Sequence, residues 1–269
     1  MSHTPRKRFG QHFLADPDVI EAIVRAIGPR ADDPMVEIGP GLGALTGPLL
    51  ERLTHLHAVE IDRDVIVTLK RRFGDTRLTI HSGDALSYDF GALGDALRRP
   101  LRVVGNLPYN ISTPLLFHLA GFAGRIADGH FMLQKEVVER MVAGPGGRDY
   151  GRLSVMLQYR FAMEHLFDVP AEAFEPPPRV ESAIVRMLPK PANLRLARDE
   201  ALLGALVTRA FGQRRKVLRN TLKGMATEAQ LEASGIAPGA RAEEIALENY
   251  VGLANLLAAI DQPPGATLK

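Results

Sequence analysis

Four apolar runs in this sequence end in residues able to do chemistry. EIGPGLGALT (37–46) offers the Glu37 carboxylate and a glycine turn at Gly39, Gly41 and Gly43, while LHAVEID carries Glu60 at its end. SGDAL supplies Asp84, and LRVV leads into GNLPYNIS with Asn106, Leu107, Pro108 and Tyr109. Closely spaced glycines between a strand and a helix let the backbone approach a ligand and leave the helix N-terminus to its polar groups. A carboxylate about 20 residues further on, where Glu60 stands, can accept hydrogen bonds from ribose hydroxyls. Asp84 can accept from an adenine amine, and an Asp before a helix can equally serve as an N-cap. Ligands of open α/β sheets bind at the carboxyl ends of strands, so acids at three successive ends point to an adenosine-bearing cofactor.

The fourth strand end suits an amine substrate. An aromatic exocyclic amine is a poor nucleophile because its lone pair is delocalised into the ring. An enzyme that alkylates it has to accept both N–H hydrogens and leave the lone pair facing the electrophile. The Asn106 side-chain oxygen and the backbone carbonyl of Leu107 or Pro108 are two such acceptors. Pro108 stiffens the turn, and Tyr109 presents a ring on which a purine can stack. The alkylated ammonium is strongly acidic, so no general base is needed during attack.

The elements that hold these residues alternate. Asp16-Pro17 caps an amphipathic helix with Ile20, Ile23, Val24 and Ile27 inward, stopped at Gly28-Pro29. Strands are predicted at 35–39, 56–62, 77–83, 101–106 and 129–135, with helices between them, one carrying Val65, Ile66, Leu69 and Phe73 on its inner side. Five βα units give a mostly parallel sheet covered on both faces. A glycine-rich loop, GPGGRDYG, and a helix over SVMLQYRFA follow, then HLFDV and RVESAIVRML as an antiparallel pair completing seven strands. MLPKPAN reads as a linker, and LLGALVTRAF, RRKVLRNTL and ENYVGLANLLAAI as helices. The expectation is a Rossmann-like α/β domain over 1–189 and a small all-α domain over 193–269.

Composition narrows the classes. The 269 residues include no cysteine, which excludes disulfides, thiolate metal sites and thiol nucleophiles, and the eight histidines show no recognisable ligand spacing. No metal is expected. No apolar run is long enough to span a bilayer, and the basic opening MSHTPRKRFGQHFL lacks the apolar stretch of a secretory signal, so a cytoplasmic chain is expected. Net charge is only +2, but residues 179–223 carry +8, leaving −6 elsewhere. That asymmetry suits a polyanion such as nucleic acid, and a solvated helix face accounts for it equally. If RRKVLRNTL is helical, Lys216, Arg219 and Lys223 share a face that can follow RNA phosphates, with Arg214 and Arg215 beside them.

Gly-x-Gly-x-x-Ala at 39–44 with Glu60 also satisfies a nicotinamide-binding fingerprint. The run Asn-Leu-Pro-Tyr does not belong to that pattern. Following EIGPGLG, VEID and GDAL, it resembles the amino-methyltransferases that use S-adenosylmethionine. With RKRFGQHFL before it and FEPPPRVESAIVRM behind, the chain resembles the ribosomal RNA adenine dimethyltransferases, from about Arg6 through the helical C-terminal region.

The resemblance implies a class I methyltransferase that dimethylates two adjacent adenosines in the 3′-terminal hairpin of 16S ribosomal RNA, within an immature small subunit. A monomer is expected. It implies that His12, Leu14, Glu37, Gly39, Gly41, Glu60, Asp84 and Asn106 surround the cofactor, and that Phe174 sandwiches the target base against Tyr109. Many relatives have Asn where this chain has His12, which places any side-chain contact there in question. A related family methylates 23S ribosomal RNA and confers antibiotic resistance. A noncatalytic assembly factor on the same fold is a third alternative.

Overall fold

The computed structural model describes residues 13–194 and 196–261. Its strands are β1 (Phe13–Leu14), β2 (Met35–Ile38), β3 (Leu56–Glu60), β4 (Leu78–Ser82), β5 (Leu101–Asn106), β6 (Ile126–Gln134), β7 (Phe161–Val169), β8 (Phe174–Glu175) and β9 (Ser182–Pro189). Seven form one sheet in the order β4-β3-β2-β5-β6-β9-β7. The first five of these pair in parallel, whereas β9 runs antiparallel to β6 and β7. β1 and β8 form a separate antiparallel pair. The chain passes from β2 outward through β3 and β4, then returns to place β5 on the other side of β2. That reversal opens a crevice at the carboxyl ends of β2 and β5.

Local chemistry fixes the covering helices α1 (Pro17–Ile27), α2 (Thr46–Arg52), α3 (Arg63–Phe73), α4 (Phe90–Leu97), α5 (Ser112–Gly121) and α6 (Lys135–Val142). Asp16 caps α1 by accepting from the Asp18 and Val19 amides, and Gly28 ends it at φ 57°. Ile23, Val24 and Ile27 are buried, as their spacing requires. Arg102 of β5 then fastens the end of α1. Its guanidinium donates to the Ile27 carbonyl at 2.5 Å and pairs with Asp33 at 2.5 Å and Asp128 at 2.9 Å.

Two compact units result, Met1–Glu139 with Phe161–Pro189, and Arg140–Arg160 with Lys190–Lys269. The second contains α7 (Arg152–Gln158), α8 (Glu200–Phe211), α9 (Leu218–Thr221), α10 (Glu228–Ala233) and α11 (Leu247–Asp261). Its composition differs from the sequence-based division, which assigned residues 140–160 to the sheet domain. Tyr150, Val155 and Tyr159 are buried in one core with Leu203, Leu206, Val207 and Tyr250. The Tyr159 hydroxyl also donates to Glu200 at 3.1 Å.

The expected helix over RRKVLRNTL is cut to four residues. Val217 bridges to Arg241, and the amides of Leu218 and Arg219 donate to the carbonyls of Ala240 and Pro238. Those amides are thus committed outside the helix, and the residues before them form a turn. The predicted basic helix face over Lys216, Arg219 and Lys223 is accordingly absent, although all three side chains are exposed. α6, over KEVVERMV, was not anticipated. Among the described residues no helix is long and apolar enough to cross a membrane.

Candidate active site

A cavity of about 870 Å³ opens where β2, β3, β4 and β5 end. Leu14, Glu37, Gly39, Gly41, Glu60, Asp84, Asn106, Leu107, Pro108 and Tyr109 all line it. Sequence reasoning therefore brought ten separated residues to one place. His12 lies outside the described residues.

The glycine turn forms the floor. Gly39, Gly41 and Gly43 have φ of 63°, 53° and 86°, which side chains with a Cβ rarely adopt. They differ in what surrounds them. A Cβ at Gly43 would approach Phe73 to 2.7 Å, so Gly43 serves helix packing. A Cβ at Gly39 would enter the gap toward Pro108, whose Cδ would be 3.9 Å away, so a bare backbone keeps the crevice between β2 and β5 open.

Three carboxylates face different surroundings. Glu37 is 2% exposed and accepts from Thr46 Oγ1 at 2.7 Å. Burial raises its pKa to about 7, against the Thr46 bond and with help from the Glu60 charge. Glu60 is raised by burial too, although the amides of Asp62, Ile61 and Gly41 hold it from the other side. Its Oε1 accepts from the Ile61 and Asp62 amides at 2.8 Å each. Asp84 is exposed and does not cap α4, whose N-cap is Asp89. Asp84 Oδ1 instead accepts from the Leu86 amide at 2.9 Å, closing a local turn.

Asn106 ends β5 in register with Met132, and the Leu107 amide extends the ladder to the Met132 carbonyl at 3.1 Å. Gly105 allows this geometry. A Cβ there would lie 2.6 Å from the Ile38 carbonyl oxygen, so only glycine lets β5 approach β2 so closely. The Pro108 carbonyl accepts from the Ile111 amide at 3.1 Å, closing the turn. Burial raises the Tyr109 phenol, which shares a 2.6 Å hydrogen bond with Ser182 Oγ.

Phe174 is placed apart from the others. Phe174 is buried at 3% exposure in the core with Leu14, Val169, Ala173 and Ile184, and it does not line the cavity. Pairing of β8 with β1 sets Phe174 opposite Leu14 and draws it inward. Sequence reasoning also missed Ile61, which lines the cavity while 52% exposed. Its position directly after the strand-ending acid was the available signal.

Residues 2–259 match the family model described as ribosomal RNA adenine dimethylase. The chain belongs to the ribosomal RNA adenine dimethylase family. Within it, the chain is 62% identical over 255 residues to the ribosomal RNA small subunit methyltransferase A of Chromobacterium violaceum, covering 95% of this chain and 96% of that one. The fold matches a dimethyladenosine transferase from Plasmodium falciparum with a TM-score of 0.74 and 26% identity, over 90% of this chain and 96% of the other. It also matches the 23S rRNA methyltransferase ErmE with a TM-score of 0.67 and 25% identity, over 91% and 99%. Membership of the adenine dimethylase family makes the chain a methyltransferase and sets aside the nicotinamide reading of the glycine turn.

Proposed function

We propose that this enzyme uses S-adenosylmethionine to dimethylate two adjacent adenosines in the 3′-terminal hairpin of 16S ribosomal RNA within an immature small subunit. The observation that carries this reading is the juxtaposition of the glycine turn after β2 with Asn106 after β5, in one cavity. The cavity fits such a cofactor chemically. Glu60 offers a carboxylate for ribose hydroxyls, exposed Asp84 an acceptor for an adenine amine, and Ile61 an apolar surface for a purine face. The bare backbone at Gly39 leaves room for the methionine portion. When bound, the cofactor supplies a methyl group activated on a sulfonium.

The chain's own residues then orient the target nitrogen. The Asn106 side-chain oxygen and the Leu107 carbonyl accept the amine hydrogens, and the Tyr109 ring stacks on the extruded base. In the helical unit, exposed Arg214, Arg215 and Lys216 surround a concavity of about 320 Å³ and offer charge to RNA phosphates, with exposed Arg219 and Lys223 adding to it. The preference for the small subunit rests on 62% identity to a small subunit methyltransferase, against 25% to a 23S enzyme. Incubation with labelled cofactor and each immature subunit tests it. Label is expected in small-subunit RNA, and incorporation confined to large-subunit RNA would refute the reading.

A further inference from the structure

Tyr109 follows β5, yet its hydroxyl is held from two strands away. Tyr109 Oη and Ser182 Oγ are 2.6 Å apart, and Ser182 is fully buried at the first position of β9. Because β9 runs antiparallel to β6, its first residue stands at the edge where β5 and β6 end. Ser182 pairs with Gln134 there, two positions beyond the Met132 that pairs with Asn106. On its other side Ser182 pairs with Val169 of β7. Lys135 clamps the preceding residue, donating from its amide to the Glu181 carbonyl at 3.0 Å and from Nζ to the Glu181 carboxylate at 3.0 Å. The serine hydroxyl is thus carried by backbone that neighbours hold on both sides. The base of the tyrosine is fixed separately, since Ser112 Oγ donates to the Tyr109 carbonyl at 3.1 Å.

We infer that Ser182 is a positioning residue for the reaction, holding the Tyr109 ring in the orientation on which the target purine stacks. This deepens the proposed function and rests on its reading of Tyr109 as the stacking face. A ring fixed at its backbone and at its far oxygen cannot swing about its two side-chain torsions, so the stacked base meets Asn106 in one pose. Small losses of that alignment lower turnover without altering how the cofactor is held.

The test compares wild type, Ser182→Ala, Tyr109→Phe, the double variant and Tyr109→Ala. Turnover and KM are measured on small subunits from cells lacking the gene, and S-adenosylmethionine affinity by calorimetry. Ser182→Ala and Tyr109→Phe are each expected to lower kcat by about three- to tenfold, the net effect of one hydrogen bond, with cofactor affinity unchanged. The double variant is expected to be no worse than either single one. If Ser182→Ala costs as much turnover with Phe at 109 as with Tyr, Ser182 acts through packing alone and the inference is wrong. Full turnover of Ser182→Ala would overturn it as well, while leaving the role of Tyr109 intact. Wild-type turnover of Tyr109→Ala would remove the stacking face itself, and the inference with it.

Discussion

Glu37 is buried beside the glycine turn, where its carboxylate accepts from the Thr46 hydroxyl. Its native pKa of about 7 exceeds the ordinary 4.5, so between these values the folded state binds more protons than the unfolded one. The stability from this group is fully present below pH 4.5 and is lost as pH rises through 7. Relative to Glu37→Gln, the wild type is expected to lose up to about 3 kcal/mol across that window. Urea midpoints at several pH values check this, and parallel curves for the two proteins would contradict it. Glu60 and Asn106 were legible in the sequence because each closes a buried apolar run, which fixes the sheet edge where it stands. Phe174 was not. Whether a loop side chain turns inward depends on the β1–β8 pairing, which joins residues 160 positions apart and leaves no local pattern.

Strands of the parallel sheet read clearly where burial favours short apolar runs, and β2 is buried at all four positions. α6 escaped notice because KEVVERMV alternates charge with short apolar pairs and follows a strand without an intervening turn signal. The short β1 and β8 leave no periodicity to detect. At this scale Gly105 sets how closely β5 approaches β2. Strand propensity alone would favour alanine there, but its Cβ would meet the Ile38 carbonyl at 2.6 Å, and backbone cannot yield as a flexible side chain can. Gly105→Ala is expected to destabilise by about 1–3 kcal/mol and to displace Asn106, lowering turnover more than cofactor affinity. Chemical denaturation and single-turnover kinetics check both parts. An alanine variant at least as stable as wild type would show that β5 has room to shift.

For the whole molecule, the excess of positive charge between Arg179 and Lys223 was visible in the sequence, but its local form was not. The periodicity of RRKVLRNTL suggests a helix because it omits the competing partners, Pro238, Ala240 and Arg241, that capture its backbone. The cations are instead presented largely from a turn. If that turn follows phosphates, neutralising Arg214, Arg215 and Lys216 together is expected to reduce the slope of log affinity against log salt by about 2–3. An unchanged slope would return the charges to a solvated surface. The proposed reaction requires that two oxygens after β5 hold an adenine amine toward the cofactor. Its most direct test is mass spectrometry of small-subunit ribosomal RNA from cells lacking the gene, complemented with wild type or with Asn106→Ala. Two adjacent N6,N6-dimethyladenosines are expected with wild type and almost none with the variant, at equal protein levels. Full dimethylation by Asn106→Ala would contradict that role, and methyl groups found only in large-subunit RNA would contradict the small-subunit substrate.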